Sequence, residues 1–454
     1  MKTMKKAIYL MLFAVGMLIA GSSIMLTSCT KEGPQGLAGT NGTNGTNGTN
    51  GQDGTAGCIQ CHTSDASGIE LMATQFEFSK HSYGEAAFSE SGNPGCSPCH
   101  ASEAFKYVCE NNVPVAFVAD PANPGKFLNP YAADITATYG EITCSTCHSS
   151  LHTTYTNADI PALTTVAPVA MTMWGGAKTI DLPADGHISN LCVKCHQPRP
   201  FTNSNTDKNV LDYAGLVSNP TAVFYDATQT TNVLKPGYRT HTHYGTAGAV
   251  YAGMGGVEFP GALSYGNSVH TNVAACQDCH MAAMSGRTGG HTFNAAGNFN
   301  GCNKAGCHTG LTATSDPSHW ATPRAAVKAA LDALAAKLTI GGVDILNRNG
   351  DVSNLWLGLT TNNYDGYLNI YDPVTNPLVE TYNATSFQYI GTPPNSWSQA
   401  QKDYNATLPK ITLTNAQMGA IINFQLCLRD YSLGIHNNKY TQALLTNTLA
   451  VLPN

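Results

Sequence analysis

Cys-x-x-Cys-His occurs five times in this chain, and a stretched Cys-x4-Cys-His once. The copies are Cys58/Cys61/His62, Cys96/Cys99/His100, Cys144/Cys147/His148, Cys192/Cys195/His196, Cys276/Cys279/His280 and Cys302/Cys307/His308. In this pattern the two thiols add across the vinyl groups of a haem to give thioethers, and the adjacent His sets an imidazole on the iron. A single copy could be half of a zinc site. Five copies, each followed directly by His, point to covalent haem, and the stretched copy extends the count to six haem c. Gly306 supplies the backbone freedom that the longer loop needs.

The remaining histidines bear on what six such irons would do. Of 15 His, six belong to the motifs, leaving His81, His152, His187, His241, His243, His270, His291, His319 and His436. Six irons closed by imidazole on both faces need six more. Such saturation favours electron transfer over substrate binding, because little rearrangement accompanies the change of redox state. Cysteine accounting is tight: 12 of 15 Cys lie in the motifs, leaving Cys29, Cys109 and Cys427. Cys109 and Cys427 are either a disulfide or two buried free thiols.

The chain that must position these groups has 454 residues, of which 42% are apolar and only 11% charged. That charged share is less than half the usual value of about 25%. Gly, Pro and Asn clusters interrupt residues 58–320, so a mainly α fold with extensive irregular loops is expected, organised around covalently bound haem. Net charge is −6, and removing residues 1–28, which hold three Lys and no acid, takes it to −9. No basic stripe is present, which argues against a nucleic-acid partner.

Residues 1–28 have a basic start, then an apolar stretch from Ala7 to Leu26, as in a secretory signal. A membrane-spanning anchor is the competing reading. The ending Leu26-Thr27-Ser28-Cys29 resembles the bacterial lipobox and implies acylation of Cys29, which would tether the chain without a helix. Residues 29–57 then place Gly at every third position from Gly33 to Gly57. This is the spacing of a collagen triple helix, but with Pro34 as its one proline it also suits a flexible tether. An exported outer-membrane lipoprotein, facing the cell surface or the periplasm, is the expected location.

Beyond residue 320 helical periodicity returns. Thr322-Pro323 is expected to open a helix, with Thr322 as N-cap and Val327, Leu331, Leu334 and Leu338 on one face. Residues 343–410 are rich in Asn, Tyr and Pro, which suggests loops and short strands. Helices are expected again over about 414–431 and through Tyr440, Leu444, Leu445 and Leu449.

Several segments resemble multihaem c cytochromes of the superfamily that includes pentahaem nitrite reductase and octahaem hydroxylamine-oxidising enzymes. They are Ser79-Lys-His81, Cys144–His152, Asn190–Arg199, His243-Tyr-Gly245 and Gly255–Phe259. The closest match is Ser268-Val-His270 with Cys276–Met281 and Gly290-His291-Thr-Phe293. The resemblance implies distal ligand roles for His81, His152, His243, His270 and His291, with His241 competing against His243. It also implies that the His flanking a motif serve neighbouring haems. The turn Ser432-Leu-Gly-Ile-His436-Asn437 resembles the C-terminal helices of the same superfamily and gives His436 a ligand role. The competing role for His436 is to cap the helix that follows.

The expected activity is therefore electron transfer along a chain of bis-His haems, in outer-membrane or extracellular respiration. Expected partners are other redox proteins or extracellular acceptors, with a homo-oligomer or filament compatible with the spare His. The alternative is a reductase for a small nitrogen or sulfur compound with one open haem. No Cys-x-x-Cys-Lys motif, the usual mark of the catalytic haem in pentahaem nitrite reductases, is present.

Overall fold

The computed structural model describes residues 68–84, 90–122, 140–201, 211–226, 240–312, 318–340 and 412–453, with short pieces between these. All belong to one compact unit, Thr55–Asn454. The first motif with His62, the apolar stretch ending at Leu26, Cys29 and the Gly-x-y segment lie outside the described residues.

Helix is the main regular structure, and much of it is a single turn long. In chain order the helices are α1 (Ile69–Glu77), α2 (Lys80–Tyr83), α3 (Ser97–His100), α4 (Ser102–Glu110) and α5 (Cys144–Cys147). They continue with α6 (Ser189–Cys195), α7 (Tyr213–Ser218), α8 (Ala247–Tyr251), α9 (His270–Val273) and α10 (Cys276–His280). Three long helices end the chain: α11 (Ala321–Lys337), α12 (Asn415–Arg429) and α13 (Asn438–Val451).

Four of the short helices are the Cys-x-x-Cys-His motifs themselves. One helical turn brings residues three and four apart onto a common face, so both thiols and the imidazole project together. Local hydrogen bonds start these turns. The Thr143 amide donates to Thr146 Oγ1 at 2.9 Å, the Ala275 amide to Asp278 Oδ2 at 2.9 Å, and the Ser189 amide to Asp185 Oδ2 at 2.9 Å. Each such bond gives a partner to an amide at a helix start, where none is available within the helix.

Strands occur as two-stranded antiparallel ribbons among the described residues. The ribbon of Val169–Ala170 with Thr179–Ile180 lies against α6 and α8, burying Met171, Met173, Ile180, Val193 and Ala249. Another ribbon pairs Val223–Asp226 with Thr412–Thr414, joining segments nearly 200 residues apart. Residues 339–344 and 382–389 contribute two more, matching the short strands expected around 343–410.

The largest apolar cluster is built by α11, α12 and α13 together with Leu211, Leu216, Val250, Val257 and Phe259. Val327, Leu331, Leu334 and Leu338 are all buried, as their spacing predicts. Each such side chain contributes about 1.5–3 kcal/mol. The start of α11 differs from expectation. Trp320 occupies the N-cap without a side-chain hydrogen bond, and Thr322 lies inside the first turn. Thr414 does cap α12, accepting from the Gln417 amide at 3.2 Å while Gln417 Oε1 accepts from Thr414 at 2.8 Å.

Buried amides lock the C-terminal helices onto the motif-bearing region. Asn423 exchanges two hydrogen bonds with the Val257 backbone, at 2.7 and 2.8 Å, and donates to Thr448. Asn437 caps α13 through Tyr440 N, accepts from Ser268 N and Oγ, and donates to the Tyr251 carbonyl. The capping role open to His436 thus falls to its neighbour.

Cys109 and Cys427 are free thiols. Cys427 is 1% exposed inside the large C-terminal cluster, whereas Cys109 packs with Val108, Val115 and Tyr131 in a separate one. The disulfide alternative is therefore corrected to two unlinked thiols. Burial pushes the Cys109 thiol up to about 11 and that of Cys427 well above its usual value.

Candidate functional site

The imidazoles of the motifs meet the imidazoles outside them in crossed pairs. His196 lies 6.1 Å, ring centre to ring centre, from His81, and His100 lies 6.1 Å from His243. His308 lies 6.1 Å from His270, and His280 lies 6.0 Å from His436. His291 is close enough to His148 for the charge of one to disfavour protonation of the other. None of these partners comes from the motif's own immediate neighbourhood. His81 precedes the second motif yet faces the fourth; His270 precedes the fifth yet faces the sixth.

The pair distance has a chemical meaning. A metal–nitrogen bond of about 2 Å on each side, plus about 1 Å from each nitrogen to its ring centre, places two axial imidazoles about 6 Å apart. The four measured pairs match that separation. His319 also approaches His308, but at 4.7 Å the rings leave no room for an atom bonded between them.

Ring orientation is fixed by the nitrogen that points away from the pair. His196 Nδ1 bonds the Gly245 carbonyl at 3.1 Å, and His280 Nδ1 the Phe293 carbonyl at 2.9 Å. His243 Nδ1 bonds the Tyr244 carbonyl at 2.8 Å, and His148 Nδ1 the Ala162 carbonyl at 3.3 Å. A carbonyl can only accept, so Nδ1 carries the proton and Nε2 keeps the lone pair that a metal needs. His436 Nδ1 instead faces Asp430 Oδ1 at 2.5 Å. At His241 the roles are reversed: its Nδ1 accepts from the His243 amide at 3.0 Å, which leaves the proton on Nε2. The geometry therefore favours His243 of the two.

Burial holds most of these rings neutral, the form that ligates. Desolvation, then the charges of His196 and His100, lower His81 to about 4. Desolvation likewise brings His196 to about 4 and His243 to about 3. His270, His280 and His291 are lowered by burial as well. His436 is the exception: burial opposes its charge, but the Asp430 carboxylate outweighs burial and raises it.

The backbone accepts strain to reach these positions. His243 has φ +90° and His152 φ +62°, both left-handed. Such conformations cost a non-glycine residue about 1–3 kcal/mol and persist where the surroundings dictate them. Gly245 has φ +66°, and a Cβ there would sit 3.1 Å from His196 Nδ1. The loop is pinned from behind, where the Gly245 amide donates to the Arg429 carbonyl at 3.1 Å and Thr246 Oγ1 to the Leu426 carbonyl at 3.1 Å. The Arg429 carbonyl lies at the end of α12, where no later helical amide reaches it, whereas the Leu426 carbonyl also accepts from the Asp430 amide.

The stretched sixth motif reaches the geometry of the others by a different path. In the second, third and fourth motifs the His amide donates to the carbonyl of the first Cys, at 3.1, 2.9 and 3.0 Å. His308 N donates to the Cys302 carbonyl at 3.0 Å, the same closure around a longer loop. Gly306 makes the extra turn possible at φ +84°.

Sulfurs of different motifs also meet. Cys99 and Cys195 lie close enough for each to shift the other's ionisation, and so do Cys192 and Cys276. Attachment sites of the second and fourth motifs, and of the fourth and fifth, therefore adjoin. Burial holds Cys147 and Cys279 up to about 11, and burial with a Glu90 hydrogen bond holds Cys96 at about 12. Cys276, by contrast, is lowered to about 7, first by its contact with Cys192. Among the described residues no three His, Cys, Asp or Glu side chains converge as a metal site.

His152 is exposed and stacks on Tyr155 at 5.7 Å; His62 and the thiols Cys58 and Cys61 lie outside the described residues. His187 is bound to Asp181 at 2.6 Å on the surface. Asp430, Gly245, Asn437 and Gln75 were not singled out from the sequence. Gln75 Oε1 accepts from the His291 amide at 2.9 Å, so α1 positions that ring. A Gly two residues after His243 was the one available signal; the others arise from contacts between distant segments.

No protein-family model, curated protein or solved structure matches the chain.

Proposed function

We propose that the protein is a multihaem c-type cytochrome that transfers electrons along a chain of bis-imidazole irons. The observation that carries this reading is the set of four crossed His pairs at 6.0–6.1 Å, each joining a motif His to a His from elsewhere. The thiols Cys96, Cys99, Cys144, Cys147, Cys192, Cys195, Cys276, Cys279, Cys302 and Cys307, with Cys58 and Cys61, would hold six haem c. Bound haem would supply one-electron iron chemistry.

The chain's own residues do the rest. Backbone carbonyls of Gly245, Phe293, Tyr244 and Ala162 hold Nδ1 protons and aim Nε2 inward. Burial keeps His81, His196, His243, His270, His280 and His291 neutral, so they bind without first losing a proton. An iron held between two of these imidazoles would have no open position for a substrate, which favours a carrier over a reductase. The proximity of Cys99 to Cys195 and of Cys192 to Cys276 supports an order in which the second, fourth and fifth positions would follow one another. The His148·His291 approach would be the fifth pair, and His152, to which the resemblance gives a ligand role, would serve the first motif with His62.

The proposal extends to location. An acylated Cys29 and the Gly-x-y tether would hold this unit off an outer membrane, facing other redox proteins or extracellular acceptors. Among the described residues no helix is long and apolar enough to cross a membrane.

Intact mass and pyridine haemochrome assays on the matured protein test the reading. Six haems, a wholly low-spin electron paramagnetic resonance (EPR) spectrum and no carbon monoxide binding on reduction are expected. Bound zinc in place of haem would overturn the proposal. A high-spin signal with carbon monoxide uptake would transfer the function to a reductase.

A further inference from the structure

We propose that the sequence neighbours Arg429 and Asp430 polarise the array, so that electrons run from the His280·His436 position to the His100·His243 position. This rests on the haem reading above.

The two ends differ in their charged surroundings. At His436 the buried Asp430, 2% exposed, takes the Nδ1 proton in a 2.5 Å contact. Ser432 Oγ also donates to this carboxylate. His148, His196, His243 and His280 give their Nδ1 protons to neutral carbonyls. A charge-assisted bond is roughly twice as strong as a neutral one. It draws the proton away from the ring and makes the imidazole a stronger donor, which favours ferric over ferrous iron. Asp185 and Asp278 add negative charge near Cys276 and Cys279, with Lys304 bound to Asp278 at the surface.

At His243 the sign is opposite. Arg199 and Arg429 both face this ring closely enough to disfavour its protonation. Arg429 is 1% exposed, its guanidinium 4.0 Å from the Tyr244 ring centre. Arg199 also lies near Cys96 and Cys99, where Glu90 contributes one carboxylate at the Cys96 thiol. Buried cations favour the ferrous state, which carries one positive charge fewer. The His196·His81 position lies between, with His196 in the field of His280, His436 and His100.

Each transfer is a single electron: one position goes from ferrous to ferric and the next from ferric to ferrous, with no proton moved. A one-electron donor and a one-electron acceptor outside the chain complete the balance.

Spectroelectrochemical titration of the full haem-loaded protein tests this, with Asp430→Asn, Ser432→Ala and Arg199→Gln as variants. Asp430→Asn should raise the most negative component, changing its oxidised-to-reduced ratio at fixed potential about tenfold, which is 59 mV for one electron. Ser432→Ala leaves the carboxylate a stronger acceptor and should move the same component the other way, so the test does not depend on Asp430→Asn folding. Arg199→Gln should lower a different, more positive component. If neither Asp430→Asn nor Ser432→Ala moves the lowest component, or if Arg199→Gln moves that same one, the polarisation is wrong. Haem content on the same samples separates the two claims: absent haem sinks the cytochrome reading, whereas six haems with unshifted potentials sink only this inference.

Discussion

His243 offers the sharpest test of the crossed pairing. It faces His100 at 6.1 Å, so its removal should open the iron of the second motif and no other. One haem in six then becomes high-spin, and the reduced protein takes up one carbon monoxide per chain. The ring is neutral when folded, lowered to about 3 by burial, so its loss creates a cavity rather than an unpaired charge. Its backbone adds a second, independent magnitude. At φ +90° an alanine bears a left-handed penalty of about 1–2 kcal/mol that glycine escapes. Glycine's greater freedom when unfolded returns about 0.5–1 kcal/mol of that. His243→Gly should therefore be about 1 kcal/mol more stable than His243→Ala in urea unfolding, although glycine is ordinarily the worse residue. Added imidazole should restore the low-spin spectrum in both. A variant that stays fully low-spin and inert to carbon monoxide would refute the pairing. So would one that loses two or more haem positions.

Gly245→Ala should cost about 2 kcal/mol, since it combines a left-handed backbone with a Cβ pressing on His196; chemical denaturation measures it, and a neutral change would show that this loop does not hold the ring. Asn423→Ala strands both polar groups of Val257 and should lower stability by about 2–4 kcal/mol without altering the EPR spectrum. Denatured protein should take up two alkyl groups, at Cys109 and Cys427, with or without reductant; uptake that requires reductant would restore the disulfide. Asp159 is held below its usual carboxylate range, first by the Thr154 hydroxyl; desolvation, the next-largest effect, opposes this, and the Thr154, Tyr155 and Thr153 amides add to the lowering. A lowered value means its contribution is complete above 3.8 and lost as pH falls through the lower folded value. Hydrogen exchange at Thr154 and Tyr155 should quicken in that acid window, and unchanged exchange would contradict the assignment.

Much of the site was legible from residue types at short spacing. Cys and His at i, i+3 and i+4 define a one-turn face whatever the rest of the chain does, and four motifs adopt that turn. The apolar stripe of α11 was equally local. Thr322 shows where local signals mislead: a good capping residue was bypassed because the helix begins two residues earlier than expected, at Ala321 rather than Pro323.

Partnership was beyond sequence reading. Nothing near His81 says that it faces His196, or that His270 faces His308, because each pair closes through segments that meet only in the folded chain. The choice of His243 over His241 depends on which ring nitrogen a backbone amide occupies, and two histidines two residues apart look alike until the loop is bent. Asp430 gained its place by lying six residues before His436, across a turn whose left-handed Tyr431 and Leu433 fold the carboxylate back onto the ring. The sequence alone determined how many thiol pairs and imidazoles there are and the local shape of each motif, since covalent spacing and one helical turn suffice for that. Only the tertiary structure decided which imidazole faces which and what charge lies behind it, because those depend on long-range packing of α12 and α13 against residues 245–280.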